Sequence, residues 1–227
     1  MQIKKEYMKI LKQTRLFAAF SETEISELLD VLRAKTADYA KGSFIYREGQ
    51  KDVPSAIVLT GSVHIIKEDF WGNRAILSEI SAGEMFAETY ACIPGEAFAV
   101  SAAAAENCSC IFLDFSGILS EKSGSEATAG RRLLINLTRI LAGKNLFLTK
   151  KIEHITQRST RQKLLSYLSE VQRRAGSSAF DIPFDRQELA DFLAVDRSAM
   201  SAELSMLRRE GVLEYRKNHF LLKLPEM

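Results

Sequence analysis

From Asp185 to Gly211 the chain reads DRQELADFLAVDRSAMSAELSMLRREG, and this stretch decides the fold. Asp185, with Glu188 three residues on, is a capping box that opens a short helix through Leu189, Ala190, Phe192 and Leu193. Ala194-Val195 makes a tight turn. Asp196 then caps a second helix, Arg197 to Glu210, which Gly211 stops as a C′ residue. On that helix Met200, Leu204 and Leu207 recur at i, i+4 and i+7 and face a core, while Arg197, Ser198, Ser201, Ala202 and Ser205 lie on other faces. Val212–Tyr215 and His219–Lys223 read as two strands around Arg216-Lys217-Asn218. Two short helices, a tight turn and a wing spell a winged helix-turn-helix. Its candidate DNA contacts are Arg186, Gln187, Asp196, Arg197, Ser198, Ser201 and Ala202, with Lys217 in the wing. A guanidinium in the first turn of the second helix reaches a guanine edge or a phosphate, and short neighbours let the helix sink into the major groove.

Upstream, Ser159-Thr160-Arg161-Gln162 has the form of another capping box, before a helix through Leu164, Leu165, Tyr167, Leu168 and Val171. Ala175-Gly176-Ser177-Ser178 breaks it, and Phe180–Phe184 reads as a short strand. Arg132–Ile155 holds no proline, and Leu134, Leu137, Leu141, Leu148, Ile152 and Ile155 make a coiled-coil-like seam with a polar gap near Lys144. Leu133, Ile135, Ile140, Leu146 and Phe147 add apolar surface, so one stripe packs inward and the other meets a second copy of the chain. Before this helix lies a Gly/Ser-containing stretch, Ser116–Ser125. From Tyr39 to Phe115 the texture is that of strands punctuated by Gly42, Gly49, Gly61, Gly72 and Gly83. Ser55–Leu59, Ser62–Lys67, Arg74–Ile80 and Ser109–Asp114 are expected strands, and Trp71-Gly72-Asn73 a hairpin tip. Ser21 and Glu24 box the start of a helix over Glu22–Leu32.

Composition narrows the function. Charged residues are 26% and hydrophobic ones 46% of 227, an ordinary globular balance. Net charge is +2, and the excess sits in the last third: from Thr156 onward there are 12 Lys and Arg against 10 Asp and Glu, with 19 of each elsewhere. No apolar run reaches the ~18–20 residues of a membrane span, and the N-terminus lacks a signal-peptide pattern, so a cytoplasmic location is expected. Cys92, Cys108 and Cys110 lack disulfide-framework spacing; Cys108 and Cys110 alternate along a strand as small core residues. His64, His154 and His219 are scattered, which argues against a metal site, and no catalytic constellation is visible.

Taken in order, several short fragments resemble the CRP/FNR superfamily of transcription regulators along essentially the whole chain. They are Leu16-Phe17, Lys41-Gly42, Arg47-Glu48-Gly49, Leu59-Thr60-Gly61, Ala82 to Glu88, Arg186 to Leu193 and Asp196-Arg197-Ser198. The resemblance implies an α+β protein of three parts. Residues 1–127 would form an antiparallel, jelly-roll-like β-roll of cyclic-nucleotide-binding type with N-terminal helices. Residues 128–155 would form a long central dimerisation helix, and 156–227 the DNA-binding winged helix-turn-helix. It also implies a homodimer, with double-stranded DNA and RNA polymerase as partners and a small effector in the roll.

The departures shape the effector reading. Members that bind cyclic AMP place an Arg-Ser pair on the phosphate; Ala99 and Val100 stand there, and no Arg or Lys occurs between Arg74 and Lys122. A buried phosphate needs a cation or several donors. No Cys precedes Cys92 and no His lies between His64 and His154, so neither an iron–sulfur cluster nor haem is expected. The expected pocket is Gly83, Glu84, Met85, Phe86, Tyr90, Phe98, Ala99 and Val100 with Leu134, Leu137, Thr138 and Leu141, which suits a small uncharged or aromatic effector. Two other functions stay open: a cyclic-nucleotide-dependent regulator, and a β-roll enzyme with an appended helical domain. In the reader, Ala194 stands where the family commonly has glycine, and Ala202 where many members carry a base-reading arginine.

Overall fold

The computed structural model describes residues 3–68, 74–119 and 127–223. The expected hairpin tip at Trp71-Gly72-Asn73 and the end of the Gly/Ser stretch, residues 120–126, lie outside them. The chain divides into two compact units, Met1–Ala142 and Gly143–Met227.

In the first unit, helices α1 (Lys5–Gln13) and α2 (Glu22–Val31) precede β1 (Lys35–Tyr39), β2 (Phe44–Tyr46), β3 (Ser55–Thr60), β4 (Ser62–Glu68), β5 (Arg74–Ser81) and β6 (Met85–Phe86). The short helix α3 (Glu88–Ala91), β7 (Ser101–Ala104), β8 (Cys108–Leu113), the single turn α4 (Ser116–Leu119) and the long helix α5 (Ala127–Ile155) follow. Two four-stranded antiparallel sheets, in the orders β1-β8-β3-β6 and β2-β7-β4-β5, make the roll. Ser21 caps α2 as its sequence requires: its hydroxyl accepts from the Glu24 N–H at 3.2 Å, and its own N–H donates to the Glu24 carboxylate at 2.7 Å. The turn between β3 and β4 admits only glycine. Gly61 sits at φ +72°, and a Cβ there would lie 2.4 Å from the Asn107 carbonyl oxygen.

Two apolar clusters fill this unit. One gathers Leu11, Phe17, Ile25, Leu29, Ile57, Leu113, Phe115, Leu133 and Leu137 between the helices and the first sheet. The other, between the sheets, holds Tyr46, Val58, Phe86, Phe98, Ala102, Cys108 and Cys110. Each large side chain so buried contributes about 1.5–3 kcal/mol relative to an exposed one. Cys108 and Cys110 are buried free thiols, as the strand alternation predicts, and β8 begins at Cys108, one residue before the expected start.

The helix seam read from the sequence is not uniform. Leu134 and Leu141 pack against their own unit's core and Leu137 is buried in it, whereas Leu148 and Ile152 stay 56% and 55% exposed. On either side of the polar gap expected near Lys144 the seam differs: its N-terminal residues pack inward on the roll and its C-terminal ones face outward.

In the second unit the last turns of α5 are followed by α6 (Thr160–Ala175), β9 (Ala179–Asp181), α7 (Arg186–Leu193), α8 (Arg197–Arg209), β10 (Leu213–Arg216) and β11 (His219–Leu222). β9 ends earlier than the expected Phe180–Phe184 strand, because Pro183 has no N–H for a ladder. It joins β10 and β11 in a three-stranded sheet, β10-β11-β9. Leu164, Leu168, Leu189, Leu193, Met200, Leu204, Leu207, Leu213 and Phe220 are fully buried around one core.

The helix ends explain the tight turn. Gly211 N–H donates to Arg208 O and Val212 N–H to Leu207 O, a Schellman ending of α8 with Gly211 at φ +74°. The end of α7 repeats that pattern, Ala194 to Asp191 and Val195 to Ala190, with alanine at φ +50°. An L side chain in the left-handed region costs about 1 kcal/mol. Ala194→Gly is therefore expected to raise the thermal midpoint of the protein's reader unit by a few degrees; an unchanged or lower midpoint in calorimetry would show that this turn carries no strain.

Candidate functional site

The reader is built from its caps outward. The Asp185 carboxylate accepts from Glu188 N–H at 2.9 Å and the Glu188 carboxylate accepts from Asp185 N–H at 2.7 Å, which fixes the start of α7. The Asp196 carboxylate accepts from Ala199 N–H at 2.8 Å and starts α8. A hydrogen bond from the Ser198 hydroxyl, and then that N–H, holds Asp196 below the usual carboxylate range. Lys163 on α6 donates to the carbonyls of Leu193 and Ala194 at 3.3 and 3.1 Å, placing a cation on the carbonyl end of α7 where the helix dipole favours it. Arg161 ties α6 to α8 through Glu203 at 3.3 Å and through Glu210.

The sequence-derived DNA contacts fall into two groups. Arg197, Ser198 and Ala202 are exposed on α8, with Ser201 half-buried beside them and Met200, Leu204 and Leu207 on the opposite, core face. Lys217 is exposed at the wing tip with φ +56°. Gln187 is exposed on α7, where its amide donates to Asp191 at 2.9 Å. Arg186 does something else: its guanidinium donates to the Lys217 carbonyl at 2.9 Å and lies 4.8 Å from the Tyr215 ring centroid and 5.2 Å from that of Phe220. It braces the wing against α7, and burial lowers its pKa.

The expected effector residues do not form one lining. Met85, Leu134, Leu137 and Leu141 belong to the helix-side cluster, and Phe86, Phe98, Tyr90 and Val100 to the cluster between the sheets. Glu84, Ala99 and Thr138 are exposed, and half-buried Gly83 turns the chain at φ +86°. Between the sheets the rings nest edge to face: Tyr46 lies 5.6 Å from Phe98, 5.9 Å from Phe112 and 6.0 Å from Phe86, and Tyr90 4.8 Å from Phe98. The Tyr46 hydroxyl donates to the Pro54 carbonyl at 2.7 Å, and burial raises its pKa.

Three features escaped the sequence reading. Lys67, on β4, sends its ammonium to the Ala99 carbonyl at 2.9 Å, so a cation does reach the position where Ala99 had argued for none. That charge is already matched by Glu48 at 2.6 Å. A surface cavity of about 460 Å³ in the first unit is lined by Arg33, Lys35, Asp52, Phe112 and Asp114, and shares only Tyr90 with the expected pocket. In the second unit His154, 4% exposed, bonds Ser166 Oγ through Nδ1 and donates from Nε2 to Glu170, both at 2.8 Å; Lys150 donates to the other Glu170 oxygen at 2.6 Å. Burial opposes the charge of Glu170, but these bonds outweigh it and hold the carboxyl below its ordinary range. Among the described residues no group of His, Cys, Asp and Glu is placed to hold a metal, and no helix is long and apolar enough to cross a membrane.

Comparison with known proteins adds to this geometry. Residues 36–121 match the cyclic nucleotide-binding domain and residues 162–227 the Crp-like helix-turn-helix domain. Over 66 residues the chain is 32% identical to the transcriptional activator protein FnrL of Cereibacter sphaeroides, covering 25% of this chain and 27% of FnrL; the match thus spans about a quarter of that relative's length. Among solved structures, the c-di-GMP responsive global regulator CLP of Xanthomonas campestris is similar with a TM-score of 0.58 at 18% identity, over 90% of this chain and 100% of that one. The catabolite activator protein of Thermus thermophilus is similar with a TM-score of 0.50 at 21% identity, over 92% and 94%. At such identities the likeness is one of fold.

Proposed function

We propose, from the premise that this chain belongs to the CRP/FNR superfamily of transcription regulators, that it is a cytoplasmic homodimer which reads double-stranded DNA and works as a regulator, not as an enzyme. The observation that carries this is the capped α8 with Arg197 exposed in its first turn and Ser198 and Ala202 exposed opposite a buried apolar face, in a unit that also carries a wing tipped by Lys217. Contact with RNA polymerase follows from the same reading. The test is selection of a binding site from a random duplex pool by the full chain; a pool that enriches no sequence overturns the proposal.

The effector of this reading is small and uncharged or aromatic. The interior of the roll around Tyr46 and Phe98 is apolar and aromatic, and the Lys67 ammonium that reaches the Ala99 carbonyl is already matched by Glu48. A cyclic phosphate would have to displace that carboxylate or go unpaired. Cyclic AMP and cyclic GMP are therefore expected to bind no tighter than roughly millimolar. A micromolar constant for either by calorimetry would restore the cyclic-nucleotide-dependent reading.

A further inference from the structure

The groove face of α8 carries little that can donate a hydrogen bond to a base. Ser201 Oγ donates to the Arg197 carbonyl and Ser205 Oγ to the Ser201 carbonyl, each at 2.9 Å, and Ser198 Oγ donates to the Asp196 carboxylate. The three hydroxyl protons are thus spent within the helix, leaving Arg197 as the exposed donor of the first turn. Ala202 stands one turn beyond Ser198 and opposite Met200 and Leu204, at the crest of the outward face. One turn further, Met206 is 41% exposed and adds apolar surface beside Ala202. Between Arg197 in the first turn and Arg209 at the far end, then, the outward face offers bases hydrocarbon and hydroxyl lone pairs but no free side-chain donor among Ser198, Ser201, Ala202, Ser205 and Met206.

In the major groove one base feature answers hydrocarbon, the thymine 5-methyl group. We infer that Ala202 is a specificity-determining residue that selects thymine by contact with this methyl, with Met206 closing the contact against water. The inference rests on the DNA-reading function proposed above. A polar group presented at 202 would not give this preference. A serine at 202 would give its hydroxyl proton to the Ser198 carbonyl, as Ser201 and Ser205 do to the carbonyls four residues before them, and would set a polar oxygen against the methyl.

Deoxyuridine differs from thymidine only by that methyl, which makes the test sharp. The duplex selected by the full chain is resynthesised with deoxyuridine at each thymine in turn, and titrated with wild type, Ala202→Ser and Arg197→Ala. With wild type, the position under Ala202 is expected to lose about fourfold in affinity per half-site, the factor that follows from burying one methyl-sized group. Other thymines should tolerate the change. Ala202→Ser, an exposed and helix-compatible change, should bind thymine and deoxyuridine duplexes alike. If the selected duplex is bound specifically and Arg197→Ala weakens it, yet no single deoxyuridine matters, the methyl reading is overturned and the regulator stands. If Ala202→Ser keeps the wild-type sensitivity, another residue reads that methyl and the inference falls as well. If no sequence is selected at all, both readings fail together.

Discussion

With Leu148→Glu and Ile152→Glu combined, the protein is expected to sediment as a monomer and to lose about 10²–10⁴-fold in affinity for a two-half-site duplex, the gain that linking two binding modules gives. Both side chains are more than half exposed in the single chain, so the change places charge in water and costs the fold little. In a symmetric dimer the same patch meets itself, and each leucine or isoleucine it covers contributes about 1.5–3 kcal/mol. Opposing glutamates would replace that gain with like-charge repulsion. Leu141, although it lies on the same sequence seam, is a poor choice for the experiment: it packs on the core of the first unit, and a charge there would confuse unfolding with dissociation. Sedimentation of the wild type as a monomer at micromolar concentration, or of the double variant as a dimer, would remove α5 as the assembly element.

The second large effect is expected at Arg197. Losing a bidentate base contact costs about 1–3 kcal/mol, so Arg197→Ala should weaken binding to the selected site by roughly 5- to 150-fold and relax preference at one position. The side chain is exposed in the first turn of α8, after a cap made by Asp196 and not by Arg197 itself, so the helix should survive its removal. Lys217→Ala, at the wing tip, should act almost equally on selected and scrambled duplex and flatten the salt dependence, as loss of a phosphate contact does. If Arg197→Ala binds the selected site as tightly as wild type, α8 is not the reading helix. Arg186 belongs in neither class. It is committed to the Lys217 carbonyl and the rings of Tyr215 and Phe220, so its removal should loosen the wing before it touches DNA directly.

What the sequence made legible is what local chemistry dictates. The boxes at Ser21 and Asp185, the cap at Asp196 and the Gly211 stop are contacts over a few residues, and each is present as read. In the roll, β3, β4, β5 and β8 followed from alternation and glycine spacing to within a residue, whereas the short β1, β2, β6 and β7 carried too little alternation to be read one by one. The missed features are long-range. Lys67 meets Ala99, Lys163 meets Ala194 and Arg186 meets Lys217, each across some thirty positions, and no periodicity encodes such a meeting. The effector residues show the same limit: motif order brought Met85 and Phe86 together, but neighbours on a strand point to opposite sides, into different clusters.

The pairing of His154 and Lys150 with Glu170 decides where this molecule can be cut. Glu170 is 8% exposed on α6, yet both of its strongest partners stand on the last turns of α5. A fragment beginning at residue 156 would discard Lys150 and His154 and leave this carboxylate only Arg174, 3.5 Å away and 64% exposed. A carboxylate so thinly paired is costly where it stays buried, or takes up a proton. A fragment beginning near Gly143 would carry its own counter-charges. The smallest portable reader therefore includes a piece of the helix that precedes it, and any natural recombination that exchanged readers between regulators would have to move that piece along with them.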